Sequence, residues 1–229
     1  MHSRLVVFML MGLITLTGCR VKKPNDSKVQ SQALLDVASK ARERGSLEAS
    51  VPYGIDEEEG INLMVPTLDN ALSQYEWVVG EPVEEKTIAT GGSGIFTIYR
   101  FRIEKRSGKH RHPEDHEERD IIDALPPREG EILVVKSGGN IVVDGVLLKK
   151  RGELCFSELM PHRYLLGMTV SSSGRVGALP MGCRSIFGVD QDRLMPRQPG
   201  DDPFTRGVRE QLGNSLTAFL TAVEKHQQP

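Results

Sequence analysis

The densest group of side chains that could do chemistry in this 229-residue sequence is a histidine-rich segment. His110, His112 and His116 fall within seven residues, and Asp115 stands among them. Imidazole nitrogens together with a carboxylate are ligands that zinc commonly takes in proteins. The segment is therefore a candidate metal site, with zinc as the candidate cofactor.

The alternative interpretation of the segment is a solvated, charge-balanced loop between two strands. Charged residues surround the histidines from Lys109 to Asp120, and no apolar side chain appears before Ile121. Ligating histidines need ordered outer partners, and a purely polar run does not supply a dry environment for them. The sequence favours the loop, and metal binding is kept as the alternative.

The order of residues in the segment resembles the His-x-His-x-Asp-His motif of metallo-β-lactamase-like hydrolases. Here the run from His110 to His116 is one residue too long, and only His162 and His226 remain downstream as further imidazole ligands. The sequence therefore favours no hydrolase of that type, and it offers no catalytic residue.

Two cysteines, Cys155 and Cys183, are candidates for a covalent link. An even pair of cysteines in an exported protein is typical of a disulfide. Such a bond would close a loop of about 27 residues and would stabilise the fold by ~3 kcal/mol if it acts by restricting the unfolded chain. The alternative is a pair of buried free thiols.

The third cysteine, Cys19, follows a short apolar run near the N-terminus. The run from Leu5 to Leu16 is about twelve residues, which suits a signal peptide and falls short of the roughly 20 needed to span a bilayer. The tetrapeptide Leu16-Thr17-Gly18-Cys19 resembles the lipobox of bacterial lipoproteins. That resemblance implies a signal peptide over residues 1–18, cleavage before Cys19, and lipidation of its sulfur and new amino group. The alternative is an ordinary signal peptide in which Cys19 has no role.

The lipobox resemblance also implies a location, which is a bacterial membrane reached by export. Lipoprotein maturation supplies two or three acyl chains, and these anchor a chain stably where one chain binds only marginally. Where the sorting rule is known, Asp after the cysteine favours the inner membrane. Arg20 stands there instead, so we expect the outer membrane. The formal net charge of −2 gives no basic excess that would favour nucleic acid as a partner.

Residues 19–66 are predicted to form a tether, a weak helix and an acidic linker. The helical pattern runs from Ser27 to Arg44, and its apolar face is so thin that we expect a spacer helix that packs weakly. The linker, from Glu48 to Gly60, contains the acidic run Asp56-Glu57-Glu58-Glu59. This part of the chain is therefore expected to hold the next domain away from the membrane.

Residues 67–190 show several short strand patterns separated by glycine-rich turns. The clearest strand is Ile95 to Ile103, in which apolar residues alternate with Arg100 and Arg102. The turns 137–140 and 144–145 each join two apolar runs, as in hairpins. The pattern predicts a mainly β domain, a small antiparallel barrel or sandwich, with flanking N- and C-terminal α-helices.

The order of elements adds a resemblance. A short helix capped by Thr67 leads into the strand Trp77-Val78-Val79-Gly80, then a long aromatic strand, then Gly130-Glu131-Ile132-Leu133-Val134-Val135. This order is similar to the OB-type barrels of netrin-like domains, which occur in many exported bacterial proteins. The resemblance covers roughly residues 67 to 190 and implies an OB-like barrel. Because that fold binds varied partners, it implies no specific activity.

Residues 191–229 are predicted to form a proline-rich linker and one amphipathic helix. Asp201-Asp202-Pro203 is typical of a helix start, and apolar residues recur at helical spacing from Phe204 to Val223. We expect the helix, Pro203 to about Lys225, to pack on the barrel. The alternative is a helix that faces a partner or a membrane.

Two hypotheses for function follow. The first is a non-catalytic lipoprotein of the cell envelope that binds or supports an unknown envelope protein or ligand. The second is a metal-binding or hydrolytic envelope protein that uses His110, His112 and His116.

Overall fold

The computed structural model describes residues 32–51, 66–89, 94–108, 111–112, 116–150, 162–198 and 200–227. The helices of these residues are α1 (Gln32–Glu43), α2 (Leu68–Gln74), α3 (His116–Ala124), α4 (Pro203–Leu212) and α5 (Leu216–His226). The strands are β1 (Glu48–Val51), β2 (Glu76–Ala89), β3 (Ile95–Ser107), β4 (Arg111–His112), β5 (Glu131–Ser137), β6 (Gly139–Val143), β7 (Val146–Lys150), β8 (Arg163–Ser171), β9 (Val176–Ala178), β10 (Ile186–Asp190) and β11 (Arg193–Pro196). A 3₁₀ helix, Gly182–Ser185, precedes β10.

Five of these strands close into a barrel. Around the ring the order is β2, β3, β5, β9 and β8, and β8 returns to pair with β2. Every pair is antiparallel except β5 with β9, which is parallel. Numbered along the chain, the barrel strands run 1-2-3-5-4, which is an OB-type connectivity. The predicted small barrel with flanking helices is confirmed, and the sandwich alternative is wrong because the ring is closed.

The barrel interior is built by the alternation that the sequence shows. On β3, Tyr99 and Phe101 point inward while Arg102 stays exposed on the other face. The inward side chains form one buried apolar cluster, whose members are Val78, Tyr99, Phe101, Ile132, Val134, Tyr164, Leu166, Met168, Val170 and Ile186. Removing these side chains from water is the main contribution to closing the ring.

Helices α2, α4 and α5 cover the outer side of β2, β8 and β10, which we call the helical flank. Trp77 lies at its centre, with ring centroids 5.7 Å from Phe204 and 4.6 Å from Phe219. The sequence prediction that the C-terminal segment packs on the barrel is confirmed. The helix caps that the sequence indicates are also present. The Thr67 side chain accepts a hydrogen bond from the Asn70 N–H at the start of α2, and the Asp202 side chain accepts one from the Thr205 N–H at the start of α4.

The C-terminal segment differs from its prediction in two details. It forms two helices rather than one, because Gly213 ends α4 in the left-handed region at φ 59° and Asn214 follows at φ 56°. Ser215 then caps α5. In addition, the predicted proline-rich linker contains strand β11, which pairs with β10.

The N-terminal prediction is wrong in part. Helix α1 does not pack weakly, since Leu34 and Ala38 are fully buried against a second sheet. That sheet has the order β1, β7, β6, and β1 runs parallel to β7. The first residues of the predicted linker, Glu48–Val51, are therefore a strand. Its acidic run, residues 56–59, lies outside the described residues.

Helix α3 covers a second side of the barrel, over β3, β5 and β9, which we call the α3 flank. Ile121 and Leu125 pack there on Ile98, Leu133 and Val176. The sequence predicted a loop through residues 109–120. The structure instead has strand β4 and the start of α3 within that stretch, so the loop prediction is wrong for those elements.

Candidate functional site

Buried charges converge at one end of the barrel, around the turn Ser171–Arg175 that joins β8 to β9; we call this the turn end. Glu76, at the start of β2, is fully buried, and Glu118, in the first turn of α3, is 7% exposed. Arg106, near the end of β3, is half-buried beside them. Because buried carboxylates are rare unless they are paired or hydrogen-bonded, this cluster is the candidate functional site.

Glu118 holds one side of the turn. Its Oε1 accepts hydrogen bonds from the hydroxyls of Ser171, at 2.8 Å, and Ser173. The serine oxygens in turn accept the N–H groups of Val176 and Arg175. Glu118 Oε2 is buried and has no hydrogen-bond partner within the described part of the chain. The helix and the turn are therefore joined through the Glu118 carboxylate.

Arg106 holds the other side of the turn. Its Nε pairs with the Glu76 carboxylate, and its Nη1 donates to the Gly174 carbonyl at 3.0 Å. The antiparallel register of β2 with β3, in which Val78 lies opposite Arg106, brings the guanidinium to this place. This pairing helps to offset the cost of burying the Glu76 charge.

The backbone brings part of the histidine-rich segment to the same end. Strand β4 runs parallel to β8, with His112 opposite Ser171, and α3 begins at His116. His110 and Asp115 lie outside the described residues, as do the side chains of His112 and His116. Among the residues that are described, no three His, Cys, Asp or Glu side chains are grouped to hold a metal. The zinc site therefore stays a prediction.

The arrangement at the turn end fixes the chain in place. The hydroxyls donate to Glu118, the guanidinium donates to the backbone, and each contact joins segments far apart in the sequence. The contact between Glu118 and Ser171 has no local signal in the sequence, because the two residues are 53 positions apart and each looks like an ordinary surface residue. The position of Glu76 inside the run Tyr75-Glu76-Trp77 is the one local signal of a buried charge.

The other predicted site residues lie apart from the turn end or outside the described chain. Cys183 is in the 3₁₀ helix and packs against the barrel interior. Cys155 lies outside the described residues, so their disulfide stays a prediction. Cys19 and the lipobox also lie outside the described residues. His162 directly precedes β8 and is exposed.

An open pocket of about 460 Å³ lies between the β10–β11 turn and the break between α4 and α5. Asp192, on its wall, accepts from the Ser215 hydroxyl at 2.6 Å and from the Thr217 N–H at 2.8 Å. These hydrogen bonds, with Ser215 the largest cause, lower the pKa of Asp192. The carboxylate thus serves as a cap for α5, and we assign the pocket no ligand.

Tyr99 is a second titratable group whose pKa is shifted by its surroundings. Burial in the barrel raises the pKa of Tyr99 to about 12, and the nearby charge of Glu85 adds to that effect. Its hydroxyl therefore stays protonated at any physiological pH. It is a packing residue of the barrel interior.

No protein-family model, curated protein or solved structure matches the chain. Within the described residues, no helix combines the length and the apolar character needed to cross a membrane.

Proposed function

We propose that the protein is a lipid-anchored lipoprotein of the bacterial cell envelope whose barrel domain is a non-catalytic binding or structural module. The observation that carries the proposal is the tetrapeptide Leu16-Thr17-Gly18-Cys19 at the end of a short apolar run. The unknown partner is an envelope protein or ligand, and the outer membrane is the expected location because Arg20 follows the cysteine.

The way the barrel is built supports a binding or structural role. At the turn end, the polar groups of Glu118 and Arg106 contact serine hydroxyls and a backbone carbonyl of the same chain. The helical flank and the α3 flank are both covered by helices. A barrel whose flanks are covered and whose turn end is held by contacts within the chain suits a module that presents a fixed surface.

The test is the Cys19→Ser variant, expressed with a clickable palmitate analogue. We expect labelled wild-type protein in the membrane fraction. The variant should be unlabelled, and either uncleaved or released, because it has no thiol to acylate. Cys183→Ser is the matched control and should keep its label. Equal labelling of the Cys19→Ser variant and the wild type, or a wild type without label, contradicts the proposal.

A second candidate function, metal handling by the histidine-rich segment, is favoured by one observation. Strand β4 places the backbone of His112 opposite Ser171, whose hydroxyl donates to Glu118. The test is metal analysis of purified protein from Arg20 onward, after dialysis against zinc. About one zinc per chain that disappears in His112→Ala and persists in His226→Ala would establish this function. Zinc far below one per chain in all three proteins would reject it.

A further inference from the structure

We draw no further inference here: the strongest candidate, the exposed face of strand β11 that carries Arg193 and Met195, has the exposed Asp190 directly across from Arg193, and nothing in the described part of the chain shows what covers this face.

Discussion

On the helical flank, three helices pack against β2, β8 and β10, whereas on the α3 flank a single helix lies over β3, β5 and β9. Among the described residues, the first cover buries a cluster of sixteen apolar residues that includes Trp77, and the second buries six. The α3 flank adds polar contacts to backbone carbonyls at and after the end of its helix, from Lys86 to Ala124, from Arg100 to Pro126 and from Arg175 to Pro127. One barrel is thus covered by a large apolar cluster on one side and by a smaller apolar cluster with added polar contacts on the other.

The two kinds of cover should respond differently to substitution. Apolar packing is cooperative and close to irreplaceable, because a deleted ring leaves a cavity that the neighbours only partly fill. A polar attachment contributes less to global stability, and it governs where a segment sits.

The strongest effect is expected on the helical flank from Phe219→Ala. Phe219 is fully buried, and its ring lies 4.6 Å from that of Trp77 and 6.4 Å from that of Phe187. Removing it should lower the free energy of unfolding by about 3–5 kcal/mol, measured by chemical denaturation. Thr221→Ala, exposed on the same helix, is the control and should change little. A loss below about 1 kcal/mol for Phe219→Ala would mean that this flank is not packed as described.

Glu118→Ala tests the turn end of the barrel. It leaves the Ser171 and Ser173 hydroxyls without their acceptor, so we expect a loss of about 1–3 kcal/mol in the free energy of unfolding. Amide exchange at Arg175 and Val176 should rise well before exchange in the β2–β3 ladder, because the turn loses its attachment. Asp120→Ala, on an exposed position of the same helix, is the control. Unchanged exchange at the turn would show that Glu118 does not hold it.

The smallest effect is expected when acid protonates Asp192, which caps the start of α5. Hydrogen bonds from Ser215 and Thr217 lower the pKa of Asp192 below its ordinary value of 3.8. The stabilisation is therefore fully present above that value and is lost as the pH falls through the lowered pKa. We expect the melting temperature to fall below about pH 4 and the fall to be shallower in Asp192→Asn.

The control for the acid prediction is Asp190→Asn, an exposed neighbour outside the cap. It should keep the wild-type acid profile. Some decline will remain in every variant, because Arg209 and Arg206 lower the pKa of Asp201 in the same direction. If the melting temperature of Asp192→Asn falls with pH as steeply as that of the wild type, the Asp192 cap does not cause the acid sensitivity.

The sequence predicted best the parts of the fold that are governed by apolar period and local caps. Three local patterns predicted features that the structure has: the alternation along β3, the Thr67 cap and the apolar stripe from Phe204 to Val223. The break at Gly213 was also visible, since a glycine followed by Asn214 inside a helical pattern weakens a helix.

Other elements could not be predicted because their partners lie far away. The second half of β2 carries Glu84, Glu85 and Lys86, and it is a strand only because β3 pairs with it along its whole length. Strands β1 and β4 are short, and each pairs with a strand from later in the chain. The turn end depends on the same kind of long-range contact, so no local pattern could indicate that Glu118 and Ser171 meet.

The parallel pairing of β1 with β7 has a consequence for the order in which the chain can fold. Arg42 and Glu48 find their partners, Asp144 and Lys149, 102 and 101 positions later. A chain exported with its N-terminus first presents α1 and β1 outside long before the hairpin that receives them has arrived. The first segment to emerge is thus among the last to dock, and contacts of such separation slow folding. In the exported chain that we propose, the apolar face of α1 would stay exposed until that hairpin arrives.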